Sequence, residues 1–306
     1  MTISPLPEIR PFQGPEHLPF QYGDGPGGIL MIHGFGGTPA ELRGLGERLV
    51  QAGWHTRALL LPGFGPDIVN LDQRHPQEWY AAVQAEWQAL QAQHNPCVLL
   101  GFSMGAAIAL NLESLLKPSR LILAAPFWHI PAWIASFLPV MRWITPRVRP
   151  FRKANFADLR VRQFFEKLMP GIDLDDPAVQ NYVRTELFIP LKLINEIARM
   201  GKNAYHHARS VNTPTLIIQG NQDNVVSPAA TRRLAQRLPA PLTVYREIPG
   251  AHDFLPKSYG YPSDDLRELL NQDHLDPVTS AILGWLPPVH GDHLYPVPNT
   301  TLANVE

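Results

Sequence analysis

The stretch Cys97-Val98-Leu99-Leu100-Gly101-Phe102-Ser103-Met104-Gly105-Ala106-Ala107 decides the reading of this chain. An apolar run reaches Gly101, one serine follows between two glycines, and a helical stretch of small residues begins at once. That order predicts a strand, a sharp turn and a helix on the pattern Gly-x-Ser-x-Gly, a nucleophile elbow. A serine on such a turn is lifted above the end of a sheet. The flanking positions must be glycine, because a Cβ there would block the approach of neighbouring backbone.

Outward from the elbow, strand and helix alternate. The run 28–33 is a short apolar strand without polar alternation, as expected of a strand buried on both faces. It leads into His33-Gly34-Phe35-Gly36-Gly37, after which Thr38 and Pro39 open a helix reaching about Ala52. A strand over 56–61 closes on Pro62-Gly63-Phe64-Gly65-Pro66. The helix over 76–93 carries Trp79, Val83, Trp87 and Leu90 at helical spacing. Beyond the elbow helix (104–116) come a strand at 120–126 and, much later, another at 214–220. A helix at 227–238, a strand at 242–248 and a helix at 277–285 complete the series. Residues 8–25 leave any earlier strand open. The expected class is α/β, a doubly wound, mostly parallel sheet. Between 128 and 212 alternation gives way to helices interrupted by prolines. This predicts a core of residues 1–127 and 213–306 with a helical cap, 128–212, inserted between two core strands.

The chemistry follows from the serine. A serine hydroxyl needs a base to take its proton, and the base needs an orienting acid. His252, in Pro249-Gly250-Ala251-His252-Asp253, follows the last strand, and Asp223, in Gly220-Asn221-Gln222-Asp223, follows the strand before it. The order Ser103, Asp223, His252 is the order such triads take behind an elbow. Asp253 is the rival acid, but its adjacent position aims it away from the His252 ring. A tetrahedral intermediate also needs backbone donors for its oxyanion. Met104, after the serine, is one, and Phe35, in the loop after the first strand, is the other. The glycine loop lacks the Lys-Ser/Thr of a phosphate-binding P-loop and the third glycine of a dinucleotide fingerprint. His33 reads as a brace of that loop. No histidine has Cys or acidic partners at metal-ligand spacing, so neither metal nor cofactor is expected.

Bulk composition narrows the classes. The 306 residues are 45% hydrophobic and 17% charged, which suits a globular core and excludes intrinsic disorder. A formal net charge of −1 leaves no basic excess for a nucleic-acid partner. The single cysteine, Cys97, excludes an intrachain disulfide and reads as a buried strand residue. Without a basic, apolar leader at the start or a run long enough to span a bilayer, the expected location is cytoplasmic.

The residues Ile32-His33-Gly34-Phe35-Gly36-Gly37, Leu61-Pro62-Gly63-Phe64-Gly65, Gly101-Phe102-Ser103-Met104-Gly105, Gly220-Asn221-Gln222-Asp223 and Gly250-Ala251-His252 together resemble an α/β-hydrolase of the carboxylesterase and monoacylglycerol lipase-like group. The resemblance covers about residues 28 to 286. Within that group the second pattern commonly reads Pro-Gly-His-Gly, and Phe64 stands here in place of the histidine. The resemblance implies hydrolysis of carboxylic esters through an acyl-enzyme, with no cofactor. A thioesterase, an amidase or a carbon–carbon bond hydrolase would use the same elbow, and a non-catalytic ligand-binding protein could keep the same scaffold.

The cap sequence suggests a substrate class. It contains Trp128, Trp133, Trp143, Phe137, Phe151, Phe156, Phe164, Phe165, Tyr182 and Phe188. Thirteen Lys/Arg against seven Asp/Glu give it a net charge of +6 within a chain of net −1. An apolar pocket favouring medium- to long-chain acyl or lipid-like esters is the expectation. A second is transient contact with anionic membrane surfaces through Arg142 to Lys153, beside the apolar stretch from Trp133 to Ile144.

Overall fold

The computed structural model describes residues 12–129, 147–149, 151–159, 161–162, 165, 173–185, 189–260, 276–287 and 289. Strands β1 (Phe20–Tyr22), β2 (Gly27–Ile32), β3 (Trp54–Leu59), β4 (Cys97–Phe102), β5 (Arg120–Ala124), β8 (Thr215–Gly220) and β9 (Thr243–Ile248) form one sheet. Its order is β1-β3-β2-β4-β5-β8-β9. β1 runs antiparallel to β3, and every other pairing in this sheet is parallel. The chain passes from β2 to β3 on one side, then crosses back to β4 on the other. Ligand crevices of open α/β sheets form where the winding reverses in this way, here beyond the carboxyl ends of β2 and β4.

Alternate side chains of the buried strands supply two cores, because successive residues of a strand face opposite sides of its sheet. Leu30, Ile32, Leu99, Leu121 and Leu123 join one core with Trp79, Val83, Trp87 and Leu90 of helix α2 (Pro76–Gln91) and Ile108 and Leu112 of α3 (Met104–Leu116). Ile29, Met31, Val98, Leu100 and Ile122 join the other, with Leu42, Leu45 and Leu49 of α1 (Ala40–Gln51) and further chain near the carboxyl end. The continuous apolar reading of the strands thus has its cause in burial on both faces. Trp87 is fixed by its indole N–H, which donates to Leu116 O at 3.0 Å.

Three details differ from the sequence reading. β1 is the early strand that pattern alone left open; three residues are too few to show a period. β3 begins at Trp54, two residues early. A 3₁₀ stretch, Gly65–Gln73, follows the Pro62-Gly63-Phe64 turn and was not foreseen.

The chain between neighbouring strands β5 and β8 contains β6 (Arg147–Val148), α4 (Pro177–Thr185), β7 (Ile189–Pro190) and α5 (Leu191–His207). β6 and β7 pair as a separate two-stranded ribbon. Phe156, Phe165, Leu174, Val179 and Val183 form a third, smaller core. α5 behaves differently: Leu193, Ile197, Met200 and Ala204 pack into the main core on the α3 side. Asn111 of α3 donates to Met200 O at 3.0 Å. Buried Glu113 of α3 accepts from the Asn212 and Thr213 amides and from the Thr213 hydroxyl, tying the returning chain to the main layer. The stretch from Trp133 to Ile144 lies outside the described residues. α6 (Pro228–Ala235) and α7 (Pro277–Leu283) complete the helices used below.

Candidate active site

β4 ends at Phe102, and Ser103 turns the chain into α3 with φ +53° and ψ −114°. A side chain rarely adopts positive φ, so the surroundings must hold it there. Ser103 N–H donates to Ala124 O at 2.8 Å, and Ser103 O accepts from Phe127 N–H at 3.1 Å. A Cβ on Gly101 would lie 2.3 Å from Gly105 O, and one on Gly105 would lie 2.2 Å from Ile32 O. Both glycines are therefore required by backbone packing.

The structure brings the three distant side chains of the sequence analysis together. His252 Nε2 lies 3.1 Å from Ser103 Oγ. On its other side, His252 Nδ1 lies 2.7 Å from Asp223 Oδ2. The Asp223 side chain is fully buried. Its Oδ1 accepts from the Val225 and Val226 amides, each at 2.8 Å, and its Oδ2 also accepts from Gln219 Nε2 at 3.0 Å. Burial by itself would raise the carboxyl pKa. The hydrogen bonds from His252 and from the Val226 and Val225 amides outweigh burial and hold it below the ordinary value, so the group is a carboxylate. It can only accept, which assigns the proton of the His252 contact to Nδ1 and leaves Nε2 as the acceptor facing Ser103.

Two loops carry this pair, and backbone bonds join them. Gln222 N–H donates to Gly250 O, and Asn221 N–H to Ile248 O, each at 2.9 Å. A Cβ on Gly220 would lie 2.5 Å from Ala251 O, so this glycine admits the histidine loop. The Phe102 ring stands 5.1 Å from the His252 ring and supports it from the elbow side. Asp253 is exposed to solvent.

The loop after β2 is built around His33, which is fully buried. Its Nε2 accepts from Leu61 N–H at 3.1 Å, and its Nδ1 donates to Gly34 O at 2.8 Å. Burial pushes its pKa down to about 4, with the Gly34 hydrogen bond opposing, so the ring is neutral and its tautomer assigned by its partners. Phe64 is fully buried and meets His33, Phe35 and Trp79 edge-on or tilted. The phenyl ring of Phe64 is thus packing under the glycine loop. Among the described residues, the Phe35 and Met104 amides donate to no protein acceptor.

Gln219 is a residue the pattern reading passed over. It stands next to the last residue of β8, after the apolar run Leu216-Ile217-Ile218, and a polar side chain there was the available signal. Its Oε1 accepts from Thr231 Oγ1 at 2.6 Å while its amide donates to Asp223 and to Val226 O. No group of three or more His, Cys, Asp or Glu suited to a metal occurs among the described residues. No helix among them is long and apolar enough to cross a membrane.

The family described as serine aminopeptidase, S33, matches residues 26–255, a span running from β2 to beyond His252. The chain belongs to this hydrolase family. Its fold is the α/β-hydrolase fold. A curated relative, the thermostable monoacylglycerol lipase of Bacillus sp. (strain H-257), is 24% identical over 212 residues, 69% of this chain and 76% of the relative. The carboxylesterase of Bacillus subtilis (strain 168) is 20% identical over 210 residues, 68% of this chain and 77% of that protein. Among solved structures, one from the work on LipS and LipT, two metagenome-derived lipolytic enzymes, superimposes with a TM-score of 0.61 at 18% identity. The match covers 84% of this chain and 95% of that one. At such identity the structural likeness concerns the fold alone.

Proposed function

We propose that this member of the family is a serine carboxylic-ester hydrolase acting through an acyl-enzyme. The observation that carries the reading is the unbroken line of contacts from Asp223 through His252 to Ser103. In the reaction, Ser103 Oγ attacks the ester carbonyl carbon while its proton passes to His252 Nε2. The carbonyl π bond opens to an oxyanion, which the Phe35 and Met104 amides receive. The oxyanion then collapses, the C–O bond to the alcohol breaks, and Nε2 returns the proton to the leaving oxygen. Water, deprotonated by His252, repeats the sequence on the acyl-enzyme and releases the acid. Asp223 keeps its negative charge throughout, orienting the ring and stabilising the imidazolium.

The favoured substrates are esters of medium- to long-chain or lipid-like acyl groups, monoacylglycerols included. Support comes from the aromatic content of the segment 128–212, which we read as the cap, and from the two relatives, a monoacylglycerol lipase and a carboxylesterase. The packing of α5 into the main core supports an attachment through that helix. The net charge of +6 in this segment, with exposed Arg152 and Lys153, supports a transient contact with anionic membrane surfaces. Vesicle sedimentation unchanged by neutralising those two residues and Arg149 would remove that part.

The experiment is a chain-length series of chromogenic esters, with thioesters and aminoacyl amides as further arms, on wild type and Ser103→Ala. Ester turnover should rise with acyl length and fall by about 10⁴-fold or more in the variant. Turnover retained without the serine hydroxyl would defeat the mechanism. Preference for acetate would defeat the substrate class, and faster cleavage of thioesters or amides would defeat the bond class.

A further inference from the structure

Gly34 through Gly37 close a turn in which Gly37 N–H donates to Gly34 O at 3.3 Å. The planar peptide joining Gly34 to Phe35 carries both the Gly34 carbonyl and the Phe35 N–H, so whatever orients Gly34 also aims the Phe35 donor. Glycine has no intrinsic preference strong enough to do this alone. Its carbonyl is held by His33 Nδ1 as described. Its own N–H donates to Glu41 Oε2 at 3.2 Å. Glu41 is the second residue of α1, so the carboxylate projects from a rigid element. A Cβ on Gly37 would lie 2.1 to 2.5 Å from the carboxylate atoms of Glu41. One on Gly34 would stand 3.2 Å from Ser103 Cβ and 3.6 Å from Glu41 Oε2. The carboxylate therefore lies against the turn in the space that Gly37 leaves, within hydrogen-bond reach of Gly34 N–H.

We propose that Glu41 is a positioning residue for the reaction: by holding Gly34 N–H it fixes the Phe35 amide in the direction from which the oxyanion is received. This rests on the reading of Ser103 as nucleophile and Phe35 as donor. An acidic residue in the first turn of a helix also stabilises the helix dipole. That role would affect stability alike in substrate-free and transition-state forms, whereas a positioning role is felt where the oxyanion develops.

The test compares wild type, Glu41→Gln, Glu41→Ala, Gly37→Ala and the double Ala variant. It measures kcat and KM on a short chromogenic ester, Tm, and affinity for an alkylboronic acid, which adds to a serine oxygen as a tetrahedral anion. Glu41→Ala should lower kcat about 10- to 100-fold with little change in KM, and weaken the boronate by a similar factor. Glu41→Gln, whose amide oxygen still accepts from Gly34, should stay within about threefold of wild type. Gly37→Ala should displace the carboxylate and reproduce the loss, yet add almost nothing once Glu41 is already alanine. It also retains the first-turn acid, so it decides the matter if Glu41→Ala does not fold. A fall in Tm with intact kcat and boronate affinity would overturn the proposal. So would a glutamine variant as impaired as alanine, or additive losses at positions 37 and 41. If wild type shows no Ser103-dependent ester turnover, the underlying reading fails and this inference with it; if that turnover is present, the variants judge Glu41 alone.

Discussion

Replacing Asp223 with asparagine changes one oxygen to an NH₂ group in a site that supplies only donors. Both oxygens of Asp223 are occupied: one accepts from two backbone amides, the other from Gln219 and His252. If the asparagine oxygen stays with the Val225 and Val226 amides, its NH₂ faces Gln219 Nε2 and His252 Nδ1. The histidine must then accept at Nδ1 and carry its proton on Nε2, where it cannot take the serine proton. The opposite orientation sets the NH₂ against two backbone N–H groups that cannot move. Either way one buried donor faces another, at a cost of about 1–3 kcal/mol in stability. The kinetic effect is larger, because the wrong tautomer removes the base: kcat should fall about 10⁴-fold, or about 5.5 kcal/mol in the barrier. Urea unfolding measures the stability cost, and ester hydrolysis with active-site titration measures the kinetic effect. The stability gap has a pH dependence of known sign. The Asp223 carboxyl is depressed in the folded protein, so its stabilisation is present above the ordinary value of 3.8 and is lost as pH falls through the folded value. Wild type and variant should therefore converge in acid. An asparagine variant turning over within tenfold of wild type, in a protein that Ser103→Ala silences, would refute this reasoning.

Two further predictions concern the frame around the site. His33 has a folded pKa of about 4 against an ordinary 6.5, so the unfolded chain binds the proton first on acidification. Its stabilisation is complete above pH 6.5 and declines as pH falls, by about 3 kcal/mol at pH 4. Urea unfolding of wild type and His33→Asn from pH 7.5 to 4 should show a shallower slope in the variant, and equal slopes would count against it. Gly105→Ala places a Cβ 2.2 Å from Ile32 O and 2.7 Å from His33 O, both backbone atoms with nowhere to go. It should cost about 1–3 kcal/mol and impair turnover by lifting α3 off the glycine loop; calorimetry showing an unchanged Tm would contradict the packing.

Much of the site was legible because its requirements are local. A serine between glycines after an apolar run allows few folds; Asp223 follows the buried, mainly apolar β8, and His252 follows β9, the half-exposed strand beside it. The strands themselves were readable because burial on both faces removes polar residues from the run. Short or irregular elements were not: β1 and the Gly65–Gln73 stretch are held by neighbours rather than by their own period. After Phe127 the prolines interrupt the strand–helix alternation of the sequence. That α5 returns to the main core was not legible, since an amphipathic helix looks the same whichever apolar face it covers.

The sequence alone determined the order of elements, the elbow and the identity of the three side chains in line, because glycine geometry and apolar runs are properties of adjacent residues. Only the tertiary structure decided how these are aimed. The tautomer of His252 depends on a carboxylate 29 positions away in the chain. The neutrality of His33 depends on complete burial, and the seat of Glu41 on two glycines of a turn. Those are properties of a low-dielectric interior and of through-space contacts, which come into being when the sheet winds outward from β2 and brings the loops at its carboxyl end together.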